Sequence, residues 1–279
     1  MASTTPLSEI PTLTLLYKLH KLDRSDTASS SATSRFNDKI SIVRKDITKL
    51  ETDAIVNAAN ESLLGGGGVD GAIHAAAGPD LLDECRELEG CDTGSAKITD
   101  AYELPCKKVI HAVGPVYGSA KRKGLHAELL SGCYTKSLEL AVENKCKSLA
   151  FSALSTGVYG YPSGEAAETA IQAVKGWLEE NDKRAEKIER VVFCQFMEKD
   201  QKAYENYIPK YFPPAAEKKA EESEEKVDAE EDGQEGADEA KDEEVQAEKV
   251  PDLPEVPTKE PAEPDEPEPK KQKLDDGKD

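Results

Sequence analysis

The chain has 279 residues and a formal charge of −20; at roughly 150 residues per domain this allows one or two domains. From Ala215 onward 26 acids face 10 Lys, a net of −16, whereas the preceding part carries only −4. The balanced body excludes an electrostatic binder of duplex DNA. No run approaches the roughly 18 apolar residues of a membrane-spanning helix. Met1–Leu22 lacks the basic start of a signal or transit peptide.

In chain order, residues 1–36 read as an N-terminal arm and flexible linker. A weak helix or extended arm near Leu13–Leu22 precedes a polar run, Ser25–Ser31. Residues 37–213 read as a globular domain in which short β-branched runs alternate with helical patterns. Strands are expected at Lys39–Arg44, Ala54–Asn57, Ala96–Tyr102, Val109–Val113, Ser148–Ala153 and Arg190–Phe196. Helices are expected at Val69–Ala77, Leu81–Glu87, Leu125–Glu143, Glu165–Asn181 and Asp200–Ile208. Apolar runs such as Val191-Val192-Phe193 suit strands covered on both faces, and the alternation implies a three-layer α/β/α domain. A domain of this size buries roughly 70% of its unfolded surface. Trp177, Leu178, Ile171 and Val174 fit the buried stripe of one helix. Residues 214–279 are expected to be a disordered, acidic, Pro-rich tail: from Ala215 there is no Phe, Tyr or Trp, and seven Pro fall between Pro251 and Pro269. The six cysteines, Cys85, Cys91, Cys106, Cys133, Cys146 and Cys194, form no CxxC pair. They read as reduced thiols of a cytosolic or nuclear protein, with no spacing that asks for a metal.

The informative segment runs from Ile55-Val56-Asn57-Ala58-Ala59-Asn60 to Gly65-Gly66-Gly67-Gly68-Val69-Asp70-Gly71-Ala72-Ile73-His74. A strand leads into four successive glycines, and these open a helix. Glycines let the backbone approach a ligand closely, and a helix N-terminus offers free N–H groups and partial positive charge. Together they form an anion site, suited to phosphate. Gly66–Gly71 also satisfies GxGxxG, but about eight residues separate it from its strand, unlike a dinucleotide fingerprint, and no Gly-Lys-Ser/Thr follows to make a P-loop. Asp70 and His74, four apart, share one helix face. They read either as a carboxylate and imidazole that position or deprotonate water, or as a dipole-favoured Asp beside an ordinary half-buried His. A second loop, Ser155-Thr156-Gly157-Val158-Tyr159-Gly160-Tyr161-Pro162, again joins a strand to a helix. Two such loops at strand ends can clamp a diphosphate, with Tyr159 over a sugar; a tight strand–helix turn is the plainer reading. His111 reads as a core or strand-end histidine, and His20 and His126 carry no pattern. Cys106, Cys146 and Cys194 read as core thiols.

Taken together, Asp46–Leu50, Asp53–Asn60, Gly65–His74, Ala76-Ala77-Gly78-Pro79, Ile110–Pro115 and Ser155–Pro162 resemble, in order, the signatures of the macrodomain family, MacroD type, over about residues 37–213. The resemblance implies a three-layer α/β/α fold with a mixed central sheet and an ADP-ribose pocket. In it Asp46 accepts from the adenine amino group, the Ile47 backbone assists, and Phe196 stacks on the base. The backbones of Gly65, Gly66, Gly67, Gly68 and Val69, and of Ser155, Thr156, Gly157, Val158 and Tyr159, hold the diphosphate. Asn57 and Asn60 face the distal ribose, Tyr159 closes over it, and Asp70 lies nearest the anomeric carbon. The implied activity is removal of single ADP-ribose units from acidic side chains and deacetylation of O-acetyl-ADP-ribose, with Asp70, His74 and Asn60 catalytic and no metal or cofactor. The family usually has Gly where Lys45 stands. Rival readings are a non-catalytic ADP-ribose reader, an ADP-ribose 1″-phosphate phosphatase, and, from the literal GxGxxG alone, a nicotinamide-dinucleotide oxidoreductase. Expected partners are ADP-ribosylated proteins, with neither duplex DNA nor membrane; the acidic tail offers a surface for a basic partner. Lys270, Lys271 and Lys273 read either as a nuclear-import signal or as solvated lysines, in a protein expected in cytoplasm or nucleus.

Overall fold

Strands rich in Val, Ile and Ala, alternating with amphipathic helices, build one six-stranded sheet covered on both faces. The computed structural model describes residues 3–215; the acidic segment beyond, with Lys270, Lys271 and Lys273, lies outside the described residues. Its elements are β1 (Thr5–Pro6), α1 (Leu13–Lys18), β2 (Ile40–Arg44), β3 (Leu50–Glu51), β4 (Ala54–Ala59), α2 (Gly68–Ala77), α3 (Pro79–Glu87), β5 (Ala96–Asp100), β6 (Lys108–Val113), α4 (Tyr117–Arg122), α5 (His126–Glu143), β7 (Ser148–Phe151), α6 (Ser163–Glu180), α7 (Asp182–Ala185), β8 (Arg190–Gln195) and α8 (Glu198–Tyr211). The sheet order is β2-β8-β7-β4-β6-β5. All neighbours are parallel except the edge strand β5, which runs antiparallel to β6. The expected three-layer fold with a mixed sheet is therefore the observed one.

Strand periodicity divides the core into two. Ala54 and Val56, Leu149 and Phe151, and Val191 and Phe193 point to the layer of α1, α5, α6 and α8. Ile55 and Ala59, Ala150, and Val192 and Cys194 point to the layer of α2 and α3. Successive side chains on a strand face opposite ways, so a near-continuous apolar run is what two covered faces require. The helix stripe Ile171, Val174, Trp177 and Leu178 is buried in the first layer, as expected. Cys106, Cys146 and Cys194 are buried, and all six cysteines are free thiols.

The expected strands and helices all form, with ends that coincide or shift by up to three residues. The pairs of residues β1 and β3, and the short helices α4 and α7, were not anticipated; each is shorter than the window over which periodicity can be read. The segment before residue 37 packs into the domain. Thr12 caps α1 by accepting from Leu15 N, and Leu13, Leu16, Leu22 and Phe36 join the larger core. The Tyr17 hydroxyl donates to Phe212 O at 2.8 Å. Ser29 N and Thr33 N donate to Lys210 O and Tyr211 O at 2.8 and 2.9 Å. The polar run expected as a linker is thus tied to the end of α8. A Leu13→Ala substitution should cost about 2–5 kcal/mol in urea unfolding, and Leu15→Ala, at a half-exposed site, under about 0.5 kcal/mol.

Candidate active site

The strands β4 and β7 are neighbours at the middle of the sheet, and their partners diverge: β4 pairs onward with β6, β7 with β8. The carboxyl ends of such strands open a crevice, the usual ligand position in an open α/β sheet. Both glycine-bearing loops leave from those two ends.

After Ala59, Asn60 shapes the first loop. Its Nδ2 donates to Gly65 O at 2.9 Å, and its Oδ1 accepts from Ser62 N at 3.0 Å and Ser62 Oγ at 2.6 Å. Gly65 and Gly68 have φ of +82° and +64°, a region that disfavours any side chain. The loop lies directly on α2: a Cβ on Gly71 would stand 2.5 Å from Gly66 O. Gly67 caps α2 without a side-chain bond, and nothing lies within 4 Å of where a Cβ would sit on Gly67 or Gly68. There is therefore open space beside the start of a ten-residue helix, whose first N–H groups have no side-chain cap and suit an anion.

Asp70, in the first turn of α2, is only 4% exposed. Its Oδ1 accepts from Asn57 Nδ2 at 2.7 Å, and its Oδ2 would lie 3.1 Å from a Cβ on Gly66. Burial pushes its carboxyl above the usual range; the Asn57 amide and His74 oppose that rise. His74 Nε2 stands 3.5 Å from Asp70 Oδ1, close enough for attraction, but without a hydrogen bond among the described residues. The ring of His74 also packs 3.6 Å from the Gly65 Cβ position. Asn57 is completely buried, and its amide is engaged with Asp70 from beneath.

The second loop approaches from β7. Ser155 adopts φ +64° and presses against Gly114, where any Cβ would fall inside its hydroxyl. Its Oγ is buried without a partner among the described residues. Tyr161 N donates to Ser155 O and Gly160 N to Gly157 O, both at 2.9 Å, so the loop closes on itself. Val158 is fully exposed. Tyr159 meets the first loop electrostatically: burial raises its phenol, with Glu61 and Asp70 adding to the rise. Two residues of α8, which the sequence did not single out, hold this loop. Buried Asp200 accepts from Thr156 Oγ1 at 3.2 Å and from Ser163 Oγ at 2.6 Å. Lys199 Nζ donates to Thr156 O at 3.0 Å and brings a positive charge to the loop.

The remaining expected residues gather at the ends of β2 and β8, which are joined through Lys45 N to Gln195 O. Asp46 is exposed, and its Oδ1 caps a short 3-10 turn by accepting from Thr48 N at 2.9 Å and Thr48 Oγ1 at 2.7 Å. Ile47 is buried behind it. Phe196 is 58% exposed, and its carbonyl accepts from Arg44 Nε at 3.1 Å. Lys45 Nζ donates to Thr5 Oγ1 at 3.2 Å, which ties it to the N-terminal strand.

One group among the described residues has metal-ligand chemistry. His74, Cys85 and His111 each offer an atom within 4.8 Å of the others. Their bonding is that of core groups. Both His111 nitrogens have neighbours, and burial pushes the Cys85 thiol up to about 11, far from a ligating thiolate.

A family model for the Macro domain matches residues 56–170. The chain is 54% identical over 181 residues to an "ADP-ribose glycohydrolase MACROD1" of Bos taurus, covering 65% of this chain and 54% of that one. It therefore spans about half the length of that relative. A Macro domain-containing protein of Chlorobaculum tepidum is 55% identical over 166 residues, covering 60% of this chain and 93% of that protein. A solved variant of the Oceanobacillus iheyensis macrodomain with ADPR is 44% identical, covers 62% of this chain and 94% of its own, and superposes with a TM-score of 0.58. The chain belongs to the macrodomain family.

The site makes one prediction that needs no substrate. Asn57→Ala removes a donor that lowers the Asp70 carboxyl. An NMR titration of the Asp70 side chain should then show its pKa higher than in the unsubstituted protein; an unchanged midpoint would mean that the 2.7 Å bond carries no charge stabilisation.

Proposed function

We propose that this protein is a hydrolase that removes single ADP-ribose units from acidic side chains of proteins and deacetylates O-acetyl-ADP-ribose. The observation that carries the reading is Asp70: a buried carboxylate in the first turn of α2, bonded by Asn57, beside His74 and beneath an open glycine loop. A bare phosphate or nucleotide binder has no need to bury a carboxylate there, because a second negative charge opposes anion binding. The names of the relatives support the same reading.

In this proposal the diphosphate lies between the Gly65–Val69 and Ser155–Tyr159 backbones, with the unpartnered Ser155 hydroxyl and the Lys199 charge available to it. Asp46 and the Ile47 backbone take the adenine edge and Phe196 its face. At the other end Asp70 orients a water towards the anomeric carbon, with Asn60 and His74 holding the surrounding geometry and Tyr159 closing over the ribose. Water attacks, the bond from the anomeric carbon to the acyl oxygen breaks, and the products are ADP-ribose and the free carboxyl side chain. Once water's proton is transferred, the acyl group leaves as a carboxylate, a stable leaving group at neutral pH. The reaction therefore asks little acid catalysis of the protein and much positioning.

Turnover on a protein bearing mono-ADP-ribose on Glu or Asp, measured beside ADP-ribose affinity, tests this. Asp70→Ala should retain binding and lose most release of ADP-ribose; a wild-type rate in that variant would remove Asp70 from the chemistry. Tight binding by the unsubstituted protein with no release would make it a reader, and phosphate release from ADP-ribose 1″-phosphate would make it a phosphatase. Phe196→Ala should weaken ADP-ribose binding by about 1–3 kcal/mol, the usual worth of a base stacked on an aromatic ring, as read by calorimetry.

A further inference from the structure

We infer that His111 is a positioning residue for Asp70: as a neutral acceptor it holds the amide of Asn57 whose N–H, and not its oxygen, faces the carboxylate. The inference rests on the reading of Asp70 as the group that orients water.

The geometry is a polar row across one face of the sheet. Asn57 on β4 is in register with His111 on β6, and His111 sits beside Thr99 of β5. All three are buried, on a face that is otherwise packed by apolar side chains under α2 and α3. Asn57 Nδ2 lies 2.7 Å from Asp70 Oδ1 and 3.2 Å from His111 Nδ1. His111 Nε2 lies 3.0 Å from Thr99 Oγ1 and 3.6 Å from Cys85 Sγ.

The donor directions follow from valence. An amide nitrogen carries two hydrogens and accepts nothing, so its two neighbours must both be acceptors. Asp70 Oδ1 is one, and His111 Nδ1 is the other. The proton of the neutral ring is then on Nε2, which donates to Thr99 Oγ1. With the amide reversed, its oxygen would stand 2.7 Å from a carboxylate oxygen whichever ring nitrogen carried the proton, so the contact with Asp70 sets the orientation. In this orientation both amide hydrogens are used, while Asn57 Oδ1 is buried with no partner among the described residues. The fold leaves an acceptor unpaired in order to aim both donors. Burial, with His74 adding, pushes His111 down to about 3, so the ring is neutral and keeps an acceptor nitrogen near neutral pH. A buried His111 needs partners for both ring nitrogens in any case; what goes beyond that need is that one of them is the amide bonded to the Asp70 carboxylate.

The consequence is read on Asp70. The titratable groups that face it or its support are His74 on α2, Cys85 on α3, His111 on β6 and Tyr159 on the second loop. Two substitutions of similar size separate the contacts of the ring. His111→Asn places an oxygen where Nδ1 stands and keeps the acceptor for Asn57. His111→Gln reaches the Nε2 position and keeps Thr99 but loses Asn57. Both leave space in the core, so a merely structural role would give them similar defects.

The experiment measures kcat against pH, ADP-ribose affinity and the His111 tautomer in the full chain. His111→Asn should hold kcat within about threefold, and His111→Gln should lower it about ten- to hundredfold, the range of one misdirected charged hydrogen bond. In His111→Gln the acid limb of the kcat profile should move to higher pH, because Asp70 loses the donor that favours its ionised form. ADP-ribose affinity should stay within about twofold in both. Nitrogen-15 NMR of the unsubstituted protein should show a neutral His111 ring protonated on Nε2, and this stands even if a variant fails to fold. A ring protonated on Nδ1, equal defects in the two variants, or an unmoved acid limb in His111→Gln would overturn the inference. Asp70→Asn separates the two levels. Full turnover in Asp70→Asn would refute the Asp70 reading itself, whereas lost turnover there with an undisturbed His111→Gln would refute only the role of His111.

Discussion

A carboxylate held out of water governs the architecture around it. Asp70 is 4% exposed, and an isolated charge so placed would take up a proton. The bond from Asn57, the nearby imidazole of His74 and the free N–H end of α2 each favour the ionised form. These come from different parts of the chain: a central strand, the helix itself and the loop that opens it. The first turn of α2 can therefore hold Asp70 in place only if β4 is in register with its neighbours and the glycine loop lies flat on the helix.

The flat loop is a matter of space. Gly71 admits the Gly66 carbonyl where any larger residue would repel it, and Gly114 admits the Ser155 hydroxyl in the same way. Two close approaches thus bring two loops to the same crevice, one from each side of the point where the strand order diverges. Each loop is also braced by side chains outside it. Asn60 ties the first to Ser62 and Gly65; Asp200 and Lys199, from the last helix, tie the second to the end of the domain. Backbone N–H groups in such loops are preorganised, so binding a diphosphate would cost little ordering.

The same helix joins the site to the N-terminal segment. In its first turn α8 carries Lys199 and Asp200 to the second loop, and it ends at Tyr211, where Tyr17, Ser29 and Thr33 find backbone partners at or beside it. Leu13 and Phe36 belong to the same buried core as Tyr204 and Ile208 of that helix. A segment that composition marks as an arm therefore contributes apolar surface to the layer that supports one wall of the crevice.

The order of the longer strands and helices, the two covered faces of the sheet and the glycine loop before a helix were all legible in the sequence, because each depends on local periodicity or on the conformational freedom of glycine. Asp70 and His74 were legible too, since a spacing of four on a helix puts them on one face whatever the rest of the chain does. The sequence placed Asn57 and His111 on two strands, but not in contact. Asn57 and His111 are 54 residues apart and meet only through strand register. Asp200 likewise reaches Thr156 across 44 residues, and the Tyr17 hydroxyl reaches Phe212 O across 195. What the sequence by itself determined is which segments become strands, helices and tight loops, because those are decided within a few residues. What only the tertiary structure decided is which polar groups share a buried site, because hydrogen-bond partners in a parallel sheet are set by register between strands that the chain visits far apart.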